Sequence, residues 1–393
     1  MSQNSLKLEI EIAELPFQFY CKQKGDASFL REKYSDFLLK KRVKKPFGKI
    51  FLTNRSFQKI RVEGNKFYLP QIPIKKHFRQ FNDLFRIVAG YVLNRNQGFV
   101  FHASSLVKNE WGYIFIGKEN AGKSTVRKLF PELACMGDDS AIIRKVNKRF
   151  FLFGSPFYQR TQKSYPNRKV PIKAVFSLNQ ADYNLVKLLS FPESFTTLSA
   201  NSFIADISEK SKERRLVFEK VMPFCQENKI FSLFFKKERS FLPLLEQATD
   251  KNFLNSDKDR ILGLINPQVR KKLPREMIWT FALGSRDFLE KCLVIKETSW
   301  NFEFDGKRHV KEIAEIASSS SRSSPHIELI NKIKTGMKER DLERWIVLVE
   351  KGGFFTIIDG NHQAIAAYLQ RKKKQNLKFL IAKLPPKKNC PWI

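Results

Sequence analysis

The chain has 393 residues, of which 42% are hydrophobic and 13% are aromatic, and this length predicts two or three domains, each able to bury a core. The composition excludes disorder along the whole chain, and no apolar run reaches the roughly 18–20 residues that span a bilayer. The chain has 72 Lys and Arg against 39 Asp and Glu, a net charge of +33, which favours polyanionic partners such as nucleic acid. Because the basic clusters are dispersed, a solvated lysine-rich surface is the favoured interpretation, and nucleic-acid binding stays open.

The N-terminus and the cysteines predict a cytoplasmic location. Residues 1–15 have no basic start followed by an apolar stretch, so they do not indicate a secretory signal. The five cysteines are widely scattered and match neither a disulfide framework nor a zinc motif, so we expect reduced thiols: Cys21, Cys135, Cys225, Cys292 and Cys390.

Residues 1–250 are predicted to form one mixed α/β domain with a β-rich part at 1–95. Alternating apolar and polar residues predict strands at Leu6–Ile12 and Gln58–Val62. Helical spacing of apolar residues predicts a helix over His77–Leu93. The elements predicted next, in chain order, are strands Gly98–Val107 and Tyr113–Ile116, helix Lys123–Phe130, strand Leu133–Met136, hairpin Ala141–Val146 with Arg149–Phe153, strand Lys173–Leu178, helices near Glu193–Ile207 and Lys212–Val221, and strand Lys229–Phe235.

The remainder of the chain predicts a connector and a second, smaller domain. Residues 251–285 are charged, contain Pro267 and Pro274, and indicate a connector. Residues 286–393 then alternate between short strand and helix patterns. These are a strand near Cys292, helix Val310–Ala317, a break at Ser318–Ser324, helix Pro325–Lys334, strands Trp345–Val349 and Phe354–Ile358, helix Asn361–Arg371, and strand Leu377–Lys383.

The sharpest motif is a phosphate loop between a predicted buried strand and a helix. The run Gly117-Lys-Glu-Asn-Ala-Gly122-Lys123-Ser124 fits the pattern G-x-x-x-x-G-K-[ST]. Gly117 and Gly122 let the backbone wrap a phosphate, Lys123 would reach the β and γ oxygens, and the Ser124 hydroxyl would bind Mg²⁺. The motif predicts ATP and Mg²⁺ as cofactors, with three further binding residues in Asn120, Ala121 and Thr125.

Two carboxylates follow the loop closely. Asp138 and Asp139 come 15 residues after Lys123, so the predicted strand Leu133–Met136 would return them to the phosphate. One could hold Mg²⁺ and the other accept a proton from an attacking hydroxyl. Asp138 is the candidate metal ligand beside Ser124, and which carboxylate is the base stays open. The alternative is that the pair only closes a turn or caps a helix.

These residues together resemble the catalytic domain of HPr kinase/phosphorylase and its relatives, over about residues 90–250. The resemblance is carried by His102-Ala-Ser, Gly117–Thr125 and Gly137-Asp-Asp139. It implies a nucleotide-binding core shared with the phosphoenolpyruvate carboxykinases, ATP and Mg²⁺ on the loop, a base in the acidic pair, and His102 beside the transferred phosphate. The glycine-rich segment that follows the acidic pair in true HPr kinases is missing, so neither protein HPr as the substrate nor the reverse reaction is predicted.

A second motif lies near the C-terminus, in the run IIDGNHQAIAAY. A glycine turn that opens a helix is a ready anion site. The run resembles the ParB/sulfiredoxin-like fold over about 288–393, which implies a second phosphate site at Asp359, Gly360, Asn361 and His362. Gln363 stands where that family has arginine, and the motif has no cysteine, which disfavours sulfiredoxin chemistry. The alternative is a helix start selected for packing.

We therefore expect an α/β protein in which an HPr-kinase/PEP-carboxykinase-like P-loop domain is joined to an α+β ParB/sulfiredoxin-like domain. The expected function is ATP- and Mg-dependent transfer of a phosphoryl group to a hydroxyl, on a small molecule or on a protein side chain. The alternative is a nucleotide-responsive DNA-binding regulator that reads DNA with its basic C-terminal domain. No helix-turn-helix is evident in the sequence, and oligomerisation stays open.

Overall fold

The computed structural model forms two compact units. It describes residues 6–21, 23–52, 59–70, 72–157, 165–205, 207, 210–250, 253, 262, 265, 267–271, 273–274, 277–296, 300, 303–319, 324–336, 345–370 and 376–384. Unit 1 comprises Met1–Leu178 with Phe191–Ile230, and unit 2 comprises Asn179–Ser190 with Phe231–Ile393. Among the described residues no helix is long and apolar enough to cross a bilayer. The predicted α/β class is confirmed, because both units combine helices with mixed sheets.

Unit 1 begins with a sheet of five described strands, in the order β1-β2-β3-β5-β4. The inner face of this sheet carries Phe17, Phe19 and Phe67, which pack with Phe81 and Phe85 of helix α2 into one core. The strand predicted at the N-terminus is confirmed without a shift, and the predicted helix is shifted by one or two residues. The elements are β1 (Leu6–Ile12), β2 (Leu15–Cys21), α1 (Lys24–Lys33), β3 (Gly48–Leu52), β4 (Arg61–Glu63), β5 (Lys66–Leu69) and α2 (Phe78–Arg95).

The rest of unit 1 surrounds the predicted phosphate loop. Strands β6, β10, β11 and β12 pair in that order, β12 runs parallel to β8, and β8, β7 and β9 pair antiparallel. The elements are β6 (Gly98–Phe101), β7 (Ala103–Lys108), β8 (Trp111–Ile116), α3 (Lys123–Leu129), β9 (Ala134–Gly137), β10 (Ala141–Val146), β11 (Arg149–Phe153), β12 (Lys169–Gln180), α4 (Phe191–Ala200) and α5 (Lys210–Glu227).

The single strand predicted over Gly98–Val107 is two strands that separate at His102. Strand β6 pairs with β10, whereas β7 pairs with β8 and β9. The chain therefore changes hydrogen-bonding partners at His102, whose side chain is exposed between two buried neighbours. A second difference concerns the helix predicted near Glu193–Ile207. This helix, α4, ends at Ala200, because the following Asn201 bonds back to the last turn.

Unit 2 is built on a sheet in the order β16-β18-β17-β19-β15-β13-β14. Helices α8, α9 and α10 cover its core, and α8 and α9 both pack on α10. The elements are β13 (Leu185–Leu188), β14 (Ile230–Phe235), α6 (Leu242–Ala248), α7 (Pro267–Lys271), β15 (Ile278–Gly284), β16 (Cys292–Val294), α8 (Val310–Ser319), α9 (Pro325–Gly336), β17 (Trp345–Lys351), β18 (Phe354–Asp359), α10 (Asn361–Leu369) and β19 (Leu377–Lys383).

The division into units differs from the predicted domain boundaries at 250 and 286. Residues 278–284, predicted as part of the connector, form strand β15, which pairs with β19 on one side and β13 on the other. An interior strand cannot be separated from its sheet, so it belongs to unit 2 together with residues 179–190. Parts of several predicted segments lie outside the described residues: Gln58, Ser320–Ser323, Arg371 and Cys390.

Candidate functional site

The predicted phosphate loop connects the buried strand β8 to helix α3. Gly117 has φ +155° and Gly122 has φ +107°, and Asn120 between them also has a positive φ. A Cβ on Gly117 would approach the Ala121 side chain to 2.8 Å, so this position requires glycine. Successive residues with φ of opposite sign form the concave backbone that binds anions.

Lys123 covers this loop with its side chain. Its Nζ donates to the carbonyl oxygens of Gly117 at 2.7 Å and Lys118 at 3.1 Å. Burial lowers the pKa of Lys123, although the nearby carboxylates of Asp139 and Glu119 oppose this. An ammonium group has three donors, and the two carbonyls use two of them. The next residue, Ser124, is exposed, and Thr125 is half-buried.

Two serines of β7 connect the loop to the acidic pair. Ser104 Oγ donates to the Lys123 carbonyl at 3.1 Å, and Ser105 Oγ donates to the Gly137 carbonyl at 3.4 Å. Both serines are fully buried. Strand β7 therefore holds the start of α3 and the end of β9 in one rigid frame, which places the Asp138–Asp139 pair near the loop.

The two adjacent carboxylates face different neighbours. Asp139 is buried, its Oδ1 lies 3.2 Å from His102 Nδ1, and its Oδ2 accepts a hydrogen bond from Arg86 at 2.6 Å. Asp138 Oδ2 instead accepts from Arg127 of α3 at 2.5 Å. Its Oδ1 is buried and has no hydrogen-bond partner within the described part of the chain. The structure thus brings Asp139, His102 and Lys123 together and leaves Asp138 on the α3 side.

His102 lies at the break between β6 and β7, with about half of its side chain exposed. Its backbone N–H donates to the Asn201 carbonyl at 2.8 Å, and the Asn201 Oδ1 accepts from the Gly117 N–H at 3.1 Å. Burial is the main cause that lowers the pKa of His102; the cations Lys123 and Arg86 add to it and Asp139 opposes it. The lowered pKa of His102 favours the neutral imidazole, which lies close enough to Lys123 for the two to interact.

Sequence reasoning missed three residues that shape this site. Arg86 is a polar interruption of the apolar pattern in α2, Asn201 directly follows α4, and Arg127 lies one turn after the loop lysine. Each of them contacts a predicted site residue. The only local signal in the sequence was the charged Arg86 within the amphipathic helix α2, and this signal does not indicate which residue Arg86 contacts.

The residues present fit a nucleotide-bound Mg²⁺. Across the described ranges no group of three His, Cys, Asp or Glu side chains could hold a metal ion. Magnesium bound with a nucleotide takes only one or two protein oxygens, the rest coming from phosphates and water. The exposed Ser124 hydroxyl is one such oxygen, and the buried Asp138 Oδ1, which accepts no hydrogen bond from the described residues, is a second.

The second predicted phosphate site is a helix start of unit 2. Gly360 has φ +85°, and its N–H donates to Asp359 Oδ1 at 2.9 Å. Burial raises the pKa of Asp359. Asn361 is buried, and its Oδ1 accepts from the Ile295 N–H at 3.3 Å. The turn has the predicted backbone, but these side chains form contacts within the protein.

The fourth residue of that motif, His362, is paired with a second histidine. Its Nε2 lies 2.7 Å from Nδ1 of His326, so one ring donates to the other. Both rings contact the buried Trp300, with centroid distances of 4.3 Å for His326 and 4.9 Å for His362. Burial, and then His326, lower the pKa of His362 to about 4. The side chains of Asn361 and His362 therefore agree with the interpretation of a helix start selected for packing.

The sequence matches no protein-family model and no curated protein. The fold and the site define an α/β protein with a glycine loop, a buried carboxylate and an adjacent histidine in one unit, and a paired-histidine helix start in the other.

Proposed function

We propose that the protein is an ATP- and Mg-dependent kinase that transfers the γ-phosphoryl group to a hydroxyl of a small molecule or a protein side chain. The observation that carries the proposal is the meeting of Lys123, on a glycine loop with positive φ at both glycines, with the His102–Asp139 pair. A phosphoryl-transfer site needs these two parts, a cation at the β and γ phosphates and a base for the acceptor.

The loop residues would bind the nucleotide. Lys123 would turn its ammonium from the loop carbonyls to the β and γ oxygens, and Ser124 would bind the metal together with Asp138 Oδ1. Bound Mg²⁺ supplies charge neutralisation on the transferred phosphate. Arg127 fixes the other oxygen of Asp138, which orients the unpartnered one.

Asp139 is the better candidate for the general base. Its carboxylate lies beside His102 and is oriented by Arg86, which donates to the oxygen that does not face the histidine. The acceptor hydroxyl would give its proton to Asp139 as its oxygen bonds to the γ-phosphorus. The bond from that phosphorus to the β–γ bridging oxygen breaks, and ADP leaves. Neutral His102 would contact the transferred phosphate without adding charge.

This proposal extends the resemblance to the HPr kinase/phosphorylase group and to the ParB/sulfiredoxin-like fold. The second unit would bind the acceptor or another phosphate-bearing ligand. Its left-handed Gly360 at the start of α10 supports that role. Because Asn361 and His362 already contact Ile295 and His326, backbone amides would carry the binding there.

Transfer from labelled ATP tests the proposal. The full-length protein is incubated with γ-labelled ATP, Mg²⁺ and fractionated cell extract, and the labelled product is identified. A Lys123→Ala variant serves as the control for contaminating kinases. Label that enters one acceptor with the wild type and not with the variant supports the kinase. Equal labelling by both proteins, or labelling in neither, contradicts it.

A further inference from the structure

The outer face of the N-terminal sheet carries one aligned row of side chains across its five described strands. Pairing between neighbouring strands places Lys7, Tyr20, Phe51, Tyr68 and Arg61 side by side. The Tyr20 and Phe51 rings are stacked at 4.5 Å and the Phe51 and Tyr68 rings at 5.1 Å. We call these five residues the aromatic row. It has a cation at each end.

The row faces away from the core. The residues that alternate with it, Phe19, Ile50 and Phe67, are fully buried or nearly so. The three rings of the row are half-buried, and Lys7 and Arg61 are exposed. The ring planes lie within 13° and 21° of parallel, at distances close to the spacing of neighbouring strands, so the rings face each other across the strands and turn their edges outward. Ring edges are the part of an aromatic side chain that contacts the face of another ring in the T-shaped arrangement.

A basic loop borders this row. The backbone of Val43 donates to Glu9 Oε2 at 2.9 Å and accepts from the Gln18 amide at 3.0 Å. Glu9 and Gln18 lie on the outer face in the next row of the same strands, and Tyr20 donates to Gln18. The loop around Val43 is thus held beside Tyr20. Its basic side chains are all exposed: Lys40, Lys41, Arg42, Lys44 and Lys45.

The charge of the face is complementary to a polyanion. The second row adds Lys49 and Lys66 at paired positions. The two rows carry four cations, Lys7, Arg61, Lys49 and Lys66, against two carboxylates, Glu9 and Glu63, of which Glu63 is paired with Arg61. Cations therefore dominate the face. A net charge of +33 over the chain adds attraction at longer range.

We propose that the aromatic row and the loop 40–45 bind single-stranded nucleic acid. Unpaired bases would lie across the ring edges, and the phosphates would follow the basic loop. A single strand is inferred because a duplex hides its base faces within its own stack, whereas unpaired bases are free to contact aromatic side chains. The proposal does not depend on the kinase activity, since it uses none of the phosphate-loop residues.

Binding of labelled 12-mers to the full-length protein tests the charge component. Fluorescence anisotropy compares U12 and dT12 with a duplex of the same length at several salt concentrations. The triple variant Lys40→Gln, Lys41→Gln, Arg42→Gln should lower affinity and reduce the slope of log K against log salt by about 2, since each single-strand phosphate contact contributes about 0.7. The matched control removes three exposed cations of α5, with Lys210→Gln, Lys212→Gln, Arg214→Gln, and should leave the slope near that of the wild type.

The aromatic component is tested separately. Tyr68→Ala should weaken single-strand binding about 2- to 13-fold, the range of an aromatic contact, whereas Trp111→Ala, which removes an exposed aromatic ring elsewhere in unit 1, should not. If Tyr68→Ala alters the fold, photocrosslinking of wild type to bromouridine-containing 12-mers replaces it, with adducts expected on Tyr20, Phe51 or Tyr68. Equal binding of duplex, equal slopes for the two triple variants, adducts only outside the row, or no binding of the single strands would overturn the proposal.

Discussion

The guanidinium of Arg86 and the carboxylate of Asp139 are joined by a 2.6 Å hydrogen bond between residues that are 53 positions apart. Arg86 belongs to the helix that fills the core of the N-terminal sheet, and it also bonds Asp83 at 3.1 Å. Asp139 belongs to the turn after the strand that returns from the phosphate loop. The orientation of the candidate base is therefore set by a helix of the N-terminal core.

Replacing Arg86 should change the titration of His102. Because the Arg86 cation lowers the pKa of His102, Arg86→Gln should raise it, and Arg86→Lys should restore it in part. Histidine NMR titration measures this directly, since the chain has only five histidines. Arg79→Gln, at an exposed position of the same helix, is the matched control. An unchanged His102 titration in Arg86→Gln would show that the cation does not act on this site.

Removing the loop lysine should abolish nucleotide binding without unfolding the chain. Lys123 contacts loop carbonyls rather than core side chains, so Lys123→Ala loses little packing but loses the main cation at the β and γ phosphates. Calorimetry with Mg·ATP and a thermal melt measure the two effects. Lys128→Ala removes an exposed lysine of the same helix and should bind as the wild type does. Equal affinities of wild type and Lys123→Ala would refute the assignment of this loop.

Removing the charge of Asp138 and removing the charge of Asp139 should impair catalysis in different ways. Asp139→Asn should keep Mg·ATP binding and lose about 10²–10⁴-fold in turnover, the usual contribution of a general base. Asp138→Asn should instead raise the Mg²⁺ concentration needed for half-maximal rate and lower the melting temperature, because it removes the negative charge that pairs with Arg127. Steady-state rates across a Mg²⁺ titration separate the two. If both variants keep wild-type rates, the acidic pair is structural.

The histidine pair of unit 2 should make stability depend on pH. The pKa of His362 is lowered from 6.5 to about 4 in the folded protein, so the unfolded chain binds more protons between these values. The contribution of neutral His362 to stability is therefore complete above about pH 6.5 and is lost as the pH falls toward 4. This loss is at most ~3 kcal/mol, and it is smaller for a partly exposed ring. The difference in melting temperature between pH 7 and pH 5 should be smaller for His362→Gln than for the wild type or for the control His309→Gln, which changes an exposed histidine. Equal pH dependence in all three would exclude the pair as its source.

A fragment of residues 286–393 should not fold alone. The fragment lacks the interior strand β15 (Ile278–Gly284), which pairs with the whole length of β19. Loss of β15 exposes the edge of a strand whose side chains are buried, and such an edge aggregates. Circular dichroism and size-exclusion chromatography of 286–393 check this. A soluble, cooperatively melting fragment would contradict the role of β15.

Local patterns predicted most elements and the loop, but not the contacts between distant segments. Strands Leu6–Ile12 and Leu377–Lys383 were predicted to the residue, since alternation and turn residues are local signals. The break at His102 was not, because it depends on which strands pair with each half. The interior position of β15 and the approach of Arg86 to Asp139 likewise depend on strand order and helix docking, which no short pattern encodes.

Unit 2 is built from two separate segments of the chain, Asn179–Ser190 and Phe231–Ile393, and this arrangement has a consequence during synthesis. Strand β13 (Leu185–Leu188) leaves the ribosome before its two partners, β14 and then β15, and β15 follows about ninety residues later. At about 5–20 residues per second this interval lasts roughly 5–20 s. Throughout it the nascent chain carries a sheet edge without its partner, while residues 191–230 complete the first unit. Until β15 emerges, this edge is a point at which a chaperone, or another nascent chain, can bind the unfinished protein.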